Sequence, residues 1–277
     1  MFRAPGFSGR ALRGTLLAMT EPCTAEFIDF AHRLADRTGE IIRRNFRTPL
    51  VVAHKSDASP VTVVDREAEF AIREMVRAHY RGHGVIGEEF DAERPEAEYV
   101  WVVDPLDGTK SFITGKPLFG TLIGLLHNGL PVLGLIDHPI LRERWIGARG
   151  HPTTVNGEPA RVRVCANLSE AVLFTTDPDT FRSADADAFR QVRDAAHMTM
   201  YGGDCYCYGL LASGLVDLIV EVGLGLDDYF PMIALIEEAG GVVTDWSGAP
   251  FDMNSDGRIV VAGDKAVHGE ALALLKE

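Results

Sequence analysis

The stretch VVDPLDGTK, residues 102–110, decides how the rest of the chain is read. It closes an apolar run, Tyr99 to Val103, that has the composition of a buried strand. Two aspartates, Asp104 and Asp107, stand at its end. Pro105 lies between them, lacks a backbone N–H, and is expected to stop the strand and fix a turn. Gly108 permits a tight backbone. Thr109 is placed to cap a short helix over TKSFIT, residues 109–114, whose free N–H groups suit a phosphate. Carboxylates beside that helix would repel a phosphate unless cations lie between. Magnesium joins carboxylates, phosphate oxygens and water in this way. Spacing alone leaves a second reading open, in which both aspartates only cap a turn.

Other acids extend the pattern. GVIGEEF, residues 84–90, ends another apolar run with Glu88 and Glu89. GLGLDDYF, residues 223–230, puts Asp227 and Asp228 at the start of a helix, where a carboxylate also suits the positive end of the helix dipole. Three acid pairs at strand ends or helix starts exceed what turn chemistry needs. Carboxylates from separate segments that converge on one cleft are the usual construction of a two-metal phosphoester site. PLDGT also invites comparison with the D-x-D-G-T of haloacid-dehalogenase phosphatases. Here the position two before Asp107 is Pro105, so the nucleophile is missing and an aspartyl-phosphate mechanism is rejected.

The remaining pattern alternates short β-rich runs with amphipathic helices. Helices are expected over 24–47, with Thr24 as N-cap, and from Asp65 to about Arg81, with Phe70, Ile72, Met75 and Val76 on the apolar side. A hairpin is expected between them, and another at the Asn-Gly of HNGLP, residues 127–131. Later helices are expected near 184–196, 205–212 and 228–239 and at the C-terminus, with strands near 171–175, 217–222 and 259–262. The chain of 277 residues shows no repeat and no low-complexity linker, so it reads as one mixed α/β unit.

Bulk charge narrows the partners. The net charge of −13 argues against nucleic acid and anionic membranes. No apolar run reaches the length of a membrane helix. Four cysteines, Cys23, Cys165, Cys205 and Cys207, include no C-x-x-C pair and read as reduced thiols of a cytoplasmic protein. His79 with His83, and His268 with Glu270, lack the partners of a zinc motif. His138 reads as a turn residue, and Trp101, Trp145 and Trp246 as packing residues. Residues 1–18 carry three arginines and no acid. They read as a disordered extension or an upstream start ahead of Met19.

Taken together, GEE at 87–89, WVVDPLDGTKSF at 101–112 and LDDYFPMIALIEEAGG at 226–241 resemble the inositol monophosphatase family of magnesium-dependent phosphatases. KSDASPVTVVD at 55–65 fits as well. The resemblance runs from about Thr24 to the C-terminus. It implies a five-layer α/β/α/β/α sandwich of the inositol monophosphatase/fructose-1,6-bisphosphatase type. Residues 19–277 would form a single phosphatase domain, with sub-lobes of about 19–150 and 151–277. The resemblance further implies that Glu88, Asp104, Asp107, Asp228 and the Leu106 carbonyl hold two or three Mg²⁺ ions. Thr109, with Glu88, would orient the attacking water, and Asp65 would support Thr109. The N–H groups of Gly108 and Thr109 would receive phosphate. The loop with Lys55 and Asp57 would close over the site, Lys55 meeting phosphate or a metal. A homodimer is implied too. The family commonly has Trp-Asp where this chain has Asp227-Asp228, which leaves Asp227 as an extra acid at the cleft edge.

Within the family the chain looks most like the histidinol-phosphate phosphatases, through 117–147 and 201–224. The reading is therefore of a hydrolase that acts on a small phosphorylated metabolite, favouring L-histidinol phosphate in histidine biosynthesis. An ammonium-bearing substrate wants carboxylates in its pocket. Asp204 and Glu221 are placed to supply them, the alternative being a helix cap and a surface acid. Inositol monophosphate or another small ester, nucleotide 3′-phosphates included, is the second reading. A catalytically inactive binding homologue is the third. The departure from L-K-P-Y-D-Y to LGLDDY, residues 224–229, bears on the substrate.

Overall fold

The computed structural model describes residues 21–49, 52–54 and 60–276. The expectations for residues 1–18 and for Lys55 and Asp57 lie outside them. In chain order the elements are α1 (Ala25–Asn45), β1 (Val52–His54), β2 (Pro60–Thr62), α2 (Val63–His79), β3 (Gly84–Gly87), β4 (Tyr99–Asp107) and α3 (Thr109–Thr114). Then come β5 (Gly120–His127), β6 (Leu130–His138), β7 (Glu143–Ala148), β8 (His151–Val155), β9 (Glu158–Pro159), β10 (Val172–Thr175), α4 (Ser183–Ala195) and β11 (Met198–Tyr201). The chain ends with α5 (Tyr206–Ala212), β12 (Leu218–Glu221), α6 (Leu226–Glu238), β13 (Val242–Asp245), β14 (Ile259–Ala262) and α7 (Lys265–Leu275).

Two large sheets organise the fold. The first runs β3-β4-β5-β6-β7-β8-β9, parallel only at β3–β4. The second runs β11-β10-β12-β14-β13, parallel over its first three strands. Apolar cores hold the five layers together, with a smaller one of Ile41, Val64, Leu106, Phe112 and Phe119 beside the end of β4. Phe30 and Leu34 of α1 and Ile72 and Val76 of α2 pack on Trp101, Val103, Ile123 and Leu133. Between the sheets, α5 and α6 bury Tyr208, Leu211, Phe230 and Leu235 against Val102, Ile136, Ile219 and Val261. Phe189 and Val192 of α4 and Val267 and Ala271 of α7 cover Leu218 and Val260 on the outer face. β4 is covered on both faces, so its sequence is continuously apolar rather than alternating.

Local chemistry moves some boundaries. α2 begins at Val63, not Asp65, because Thr62 caps it: Thr62 Oγ1 accepts the Val64 N–H, and Asp65 accepts the Thr62 N–H in return. Phe70 does not join the apolar side; it is exposed, two residues off the Ile72–Val76 stripe. β8, β9 and the exposed edge strand β11 were not expected, since HPTTV and MTMY lack a buried face to read. All three tryptophans lie in the core.

One packing feature sets the position of α6. Gly124, Gly134 and Gly147 are cross-strand neighbours on β5, β6 and β7. A Cβ on Gly134 would overlap the Pro231 carbonyl, and one on Gly147 would lie 2.7 Å from Leu235 Cα. The row of hydrogens lets the backbone of α6 settle onto the sheet.

Candidate active site

β4 does not stop at Pro105. It continues to Asp107 through a bulge, with Asp104 opposite Leu122 and Asp107 opposite Gly120, so three steps on β4 match two on β5. Pro105 sits in the bulge, where no ladder N–H is required, and its carbonyl accepts from Thr121 Oγ1 at 2.9 Å. The bulge turns Asp104 and Asp107 toward the same space. Gly108, at φ 81°, then reverses the chain and is itself the N-cap of α3, the place expected for Thr109. Asp228 comes from the first turn of α6.

Carboxylate oxygens of Asp104, Asp107 and Asp228 lie within 4.8 Å of one another. A backbone N–H holds one oxygen of each: Leu106 N to Asp104 Oδ1 at 2.9 Å, Cys205 N to Asp107 Oδ2 at 2.7 Å, and Gly225 N to Asp228 Oδ2 at 2.7 Å. Burial pushes all three carboxyls up. Glu88 adds to this at Asp104, Asp204 at Asp107, which reaches about 7, and Asp227 at Asp228. None of the three is ion-paired with a described lysine or arginine. Pre-oriented, hard oxygen donors that repel one another in low dielectric fit a divalent cation.

Glu88 stands outside that tight set but lines the same cavity of about 270 Å³, together with Asp107, Gly108, Thr109, Asp204, Glu221 and Asp228. Its turn is fixed from beneath. Glu69, fully buried, accepts the Glu89 N–H at 2.7 Å and pairs with Arg73, which also donates to the Phe90 carbonyl. The Glu69 carboxylate occupies the space a Cβ on residue 87 would need. Thr109 Oγ1 lies 3.2 Å from both Asp65 Oδ1 and the Leu106 carbonyl. Asp65 is buried and raised by it, and its other oxygen accepts from the N–H and the hydroxyl of Thr62.

Asp204 and Glu221 are not the cap and the surface acid of the alternative reading. Asp204 holds a positive φ of 44° and accepts from Ser111 Oγ. Glu221 is 6% exposed and accepts the Thr176 N–H at 2.8 Å and the Tyr208 hydroxyl at 2.5 Å. Burial raises both carboxyls. Ser111, Thr176 and Tyr208 carried no sequence signal, because their partners lie 93, 45 and 13 positions away. Asp227 is half-buried and lines no part of this cavity.

His138 is no turn residue. It ends β6, fully buried, with Nδ1 2.8 Å from the Phe119 carbonyl and Nε2 3.7 Å from Cys205 Sγ. The other histidine pairs are structural. His79 contacts the Met75 carbonyl, His83 accepts from Trp101, and His268 meets Thr244 while Glu270 accepts the Leu168 N–H.

A model of the inositol monophosphatase family matches residues 24–277. The chain belongs to that family. It is 46% identical over 259 residues to the bifunctional phosphatase IMPL2, chloroplastic, of Arabidopsis thaliana, covering 90% of this chain and 75% of that one. It is 35% identical to a histidinol-phosphatase of Chlorobaculum parvum, covering 84% and 90%. Among solved structures, an inositol monophosphatase from Zymomonas mobilis superposes with a TM-score of 0.85 at 43% identity, covering 92% of this chain and all of that one. Membership makes the chain an inositol monophosphatase-type phosphatase with the family's layered α/β fold.

Proposed function

We propose that the chain is a Mg²⁺-dependent phosphate monoesterase that hydrolyses L-histidinol phosphate to L-histidinol and phosphate. One observation carries the reading: the Asp104–Asp107–Asp228 cluster opens into a cavity that also holds the Thr109 hydroxyl and two further acids, Asp204 and Glu221. Glu88, Asp104, Asp107, Asp228 and the Leu106 carbonyl would hold the ions. Ions in such a site supply neutralisation of the phosphate and a water acidified for attack. The chain's own groups do the rest. Thr109 donates its hydroxyl hydrogen bond to Asp65, which leaves an Oγ1 lone pair to accept from the water, and Glu88 orients that water from the same end of the neighbouring parallel strand β3. The N–H groups of Gly108 and Thr109, at the start of α3, receive phosphate oxygens. Lys55, outside the described residues, would meet the phosphate or a metal.

The choice of substrate rests on charge. Asp204 and Glu221 are acceptors held by Ser111, Thr176 and Tyr208, and an ammonium group satisfies such acceptors better than a neutral polyol does. The relatives named as histidinol-phosphatases agree with this. Inositol 1-phosphate is the second reading, favoured by the relatives and structures named as inositol monophosphatases. A phosphate-release panel in Mg²⁺ with histidinol phosphate, inositol 1-phosphate and adenosine bisphosphate decides between them. Histidinol phosphate is expected to give the highest kcat/KM; a wide margin for inositol phosphate would reverse the assignment. The homodimer and the cytoplasmic setting belong to the same proposal and are read by sedimentation and by imaging of a tagged chain.

A further inference from the structure

A second cavity, of about 330 Å³, lies between α1 and the ends of β6, β7 and β8, and shares no lining residue with the first. Its roof is formed by His32 and Arg43 of α1, three turns apart on one helical stripe. Its floor is a polar row on an otherwise apolar sheet face. Asp137 and Arg144 are cross-strand neighbours, and Asn156 accepts the Arg144 N–H at 3.0 Å. The Arg144 guanidinium is fully committed, donating to Asp137 Oδ1 at 2.7 Å and to Asp36 Oδ1 at 2.8 Å. Arg43 and Arg142 also line the cavity, and neither guanidinium makes a hydrogen bond or ion pair with a described residue, though the Arg43 charge acts on the Asp137 carboxylate. Asp137 is 4% exposed, and its Oδ2 lacks a hydrogen-bond partner among the described residues. Three guanidiniums thus line the cavity against one lining carboxylate, Asp137, with Asp36 pairing Arg144 from outside the lining, a positive surplus in a chain whose net charge is −13.

We propose that this cavity binds a small organic oxyanion, a carboxylate or a phosphate, between Arg43 and Arg142. A guanidinium presents paired N–H donors that match either group, and two without a partner line this one cavity. Pro139 and Ile146 offer the apolar contact a short carbon chain requires. No cluster of acids or nucleophile accompanies the arginines, so the site binds without hydrolysing.

The test is calorimetry on the full chain in Mg²⁺, with succinate and inorganic phosphate as probes, comparing wild type with R43M/R142M and R43K/R142K. Both arginines are exposed, so the variants are expected to keep the wild-type melting temperature and the wild-type kcat and KM for ester hydrolysis. Succinate should bind wild type and weaken about tenfold or more in R43M/R142M, with partial recovery in R43K/R142K, which restores charge without the fork. Inorganic phosphate should lose one of two sites in R43M/R142M, the other being the active site. Loss confined to one probe supports the site and names its oxyanion. Equal affinities in wild type and R43M/R142M for both probes, or binding of neither, overturns it.

Discussion

At the residue scale, His138 and Glu69 show how groups outside the cavity govern it. Burial holds the His138 imidazole down to about 4, and the Phe119 carbonyl only partly offsets this. Its folded value lies below its ordinary value of 6.5, so the stability it contributes is complete above pH 6.5 and is lost as pH falls toward 4. Over that window the loss is roughly 3 kcal/mol. Melting temperatures measured against pH should fall more steeply in wild type than in His138→Gln; parallel curves would count against a buried neutral imidazole. Glu69 acts on the 87–89 turn. Removing Glu69 leaves the buried Arg73 only the partly exposed Glu93, at 3.1 Å, as an ion-pair partner, so the cost is toward the lower end for a broken buried pair, about 3 kcal/mol. Glu69→Ala should therefore lower the melting temperature sharply and weaken Mg²⁺ binding about tenfold or more in calorimetry. Glu69→Gln, which still accepts the Glu89 N–H, should recover most of the Mg²⁺ affinity. If Glu69→Ala binds Mg²⁺ as wild type does, the turn is held by other contacts.

At the element scale, the glycine row under α6 and the bulge in β4 carry the geometry. α6 brings Asp228 to Asp104 and Asp107 only because Gly124, Gly134 and Gly147 leave room for Pro231 and Leu235. Gly134→Ala has to displace the helix. The strain costs about 1–3 kcal/mol or more. A shift of about 1 Å at Asp228 costs on the order of 10²-fold in turnover. Both are checked together, by denaturant unfolding and by kcat at saturating Mg²⁺; wild-type kcat in a destabilised Gly134→Ala would show that α6 does not set the site. Pro231 lies inside the helix, and its nitrogen and ring, the atoms that cannot continue the helical ladder, pack over Gly124.

At the scale of the whole molecule, the acid cluster joins parts that fold from distant segments. Asp104 and Asp107 belong to the first sheet, Asp228 to the helix layer between the sheets, and Cys205, which steadies Asp107, to the turn before α5. Cations held there would tie these layers together and relieve the repulsion among buried carboxylates. Chelation with EDTA should lower the melting temperature, and Mg²⁺ at about 100 times its dissociation constant should restore about 2.7 kcal/mol. A melting temperature indifferent to both would separate the cluster from metal binding.

The sequence by itself determined the family and most of the elements. VVDPLDGTK and LGLDDYF carry their acids beside apolar runs, and hydrophobic periodicity marks α1, α2 and the strands that face a core. It also placed Asp65, Thr109 and Glu221 among the candidates. It misjudged Pro105, Phe70 and His138, because a bulge, a helix face and a buried strand end are defined by what packs against them. The tertiary structure alone decided which acids meet. It paired Ser111 with Asp204 and Tyr208 with Glu221, set Glu69 beneath residue 87, and aligned three glycines under α6. Each of these joins residues that carry no mutual signal along the chain, and their energetic weight arises only when folding removes water from between them.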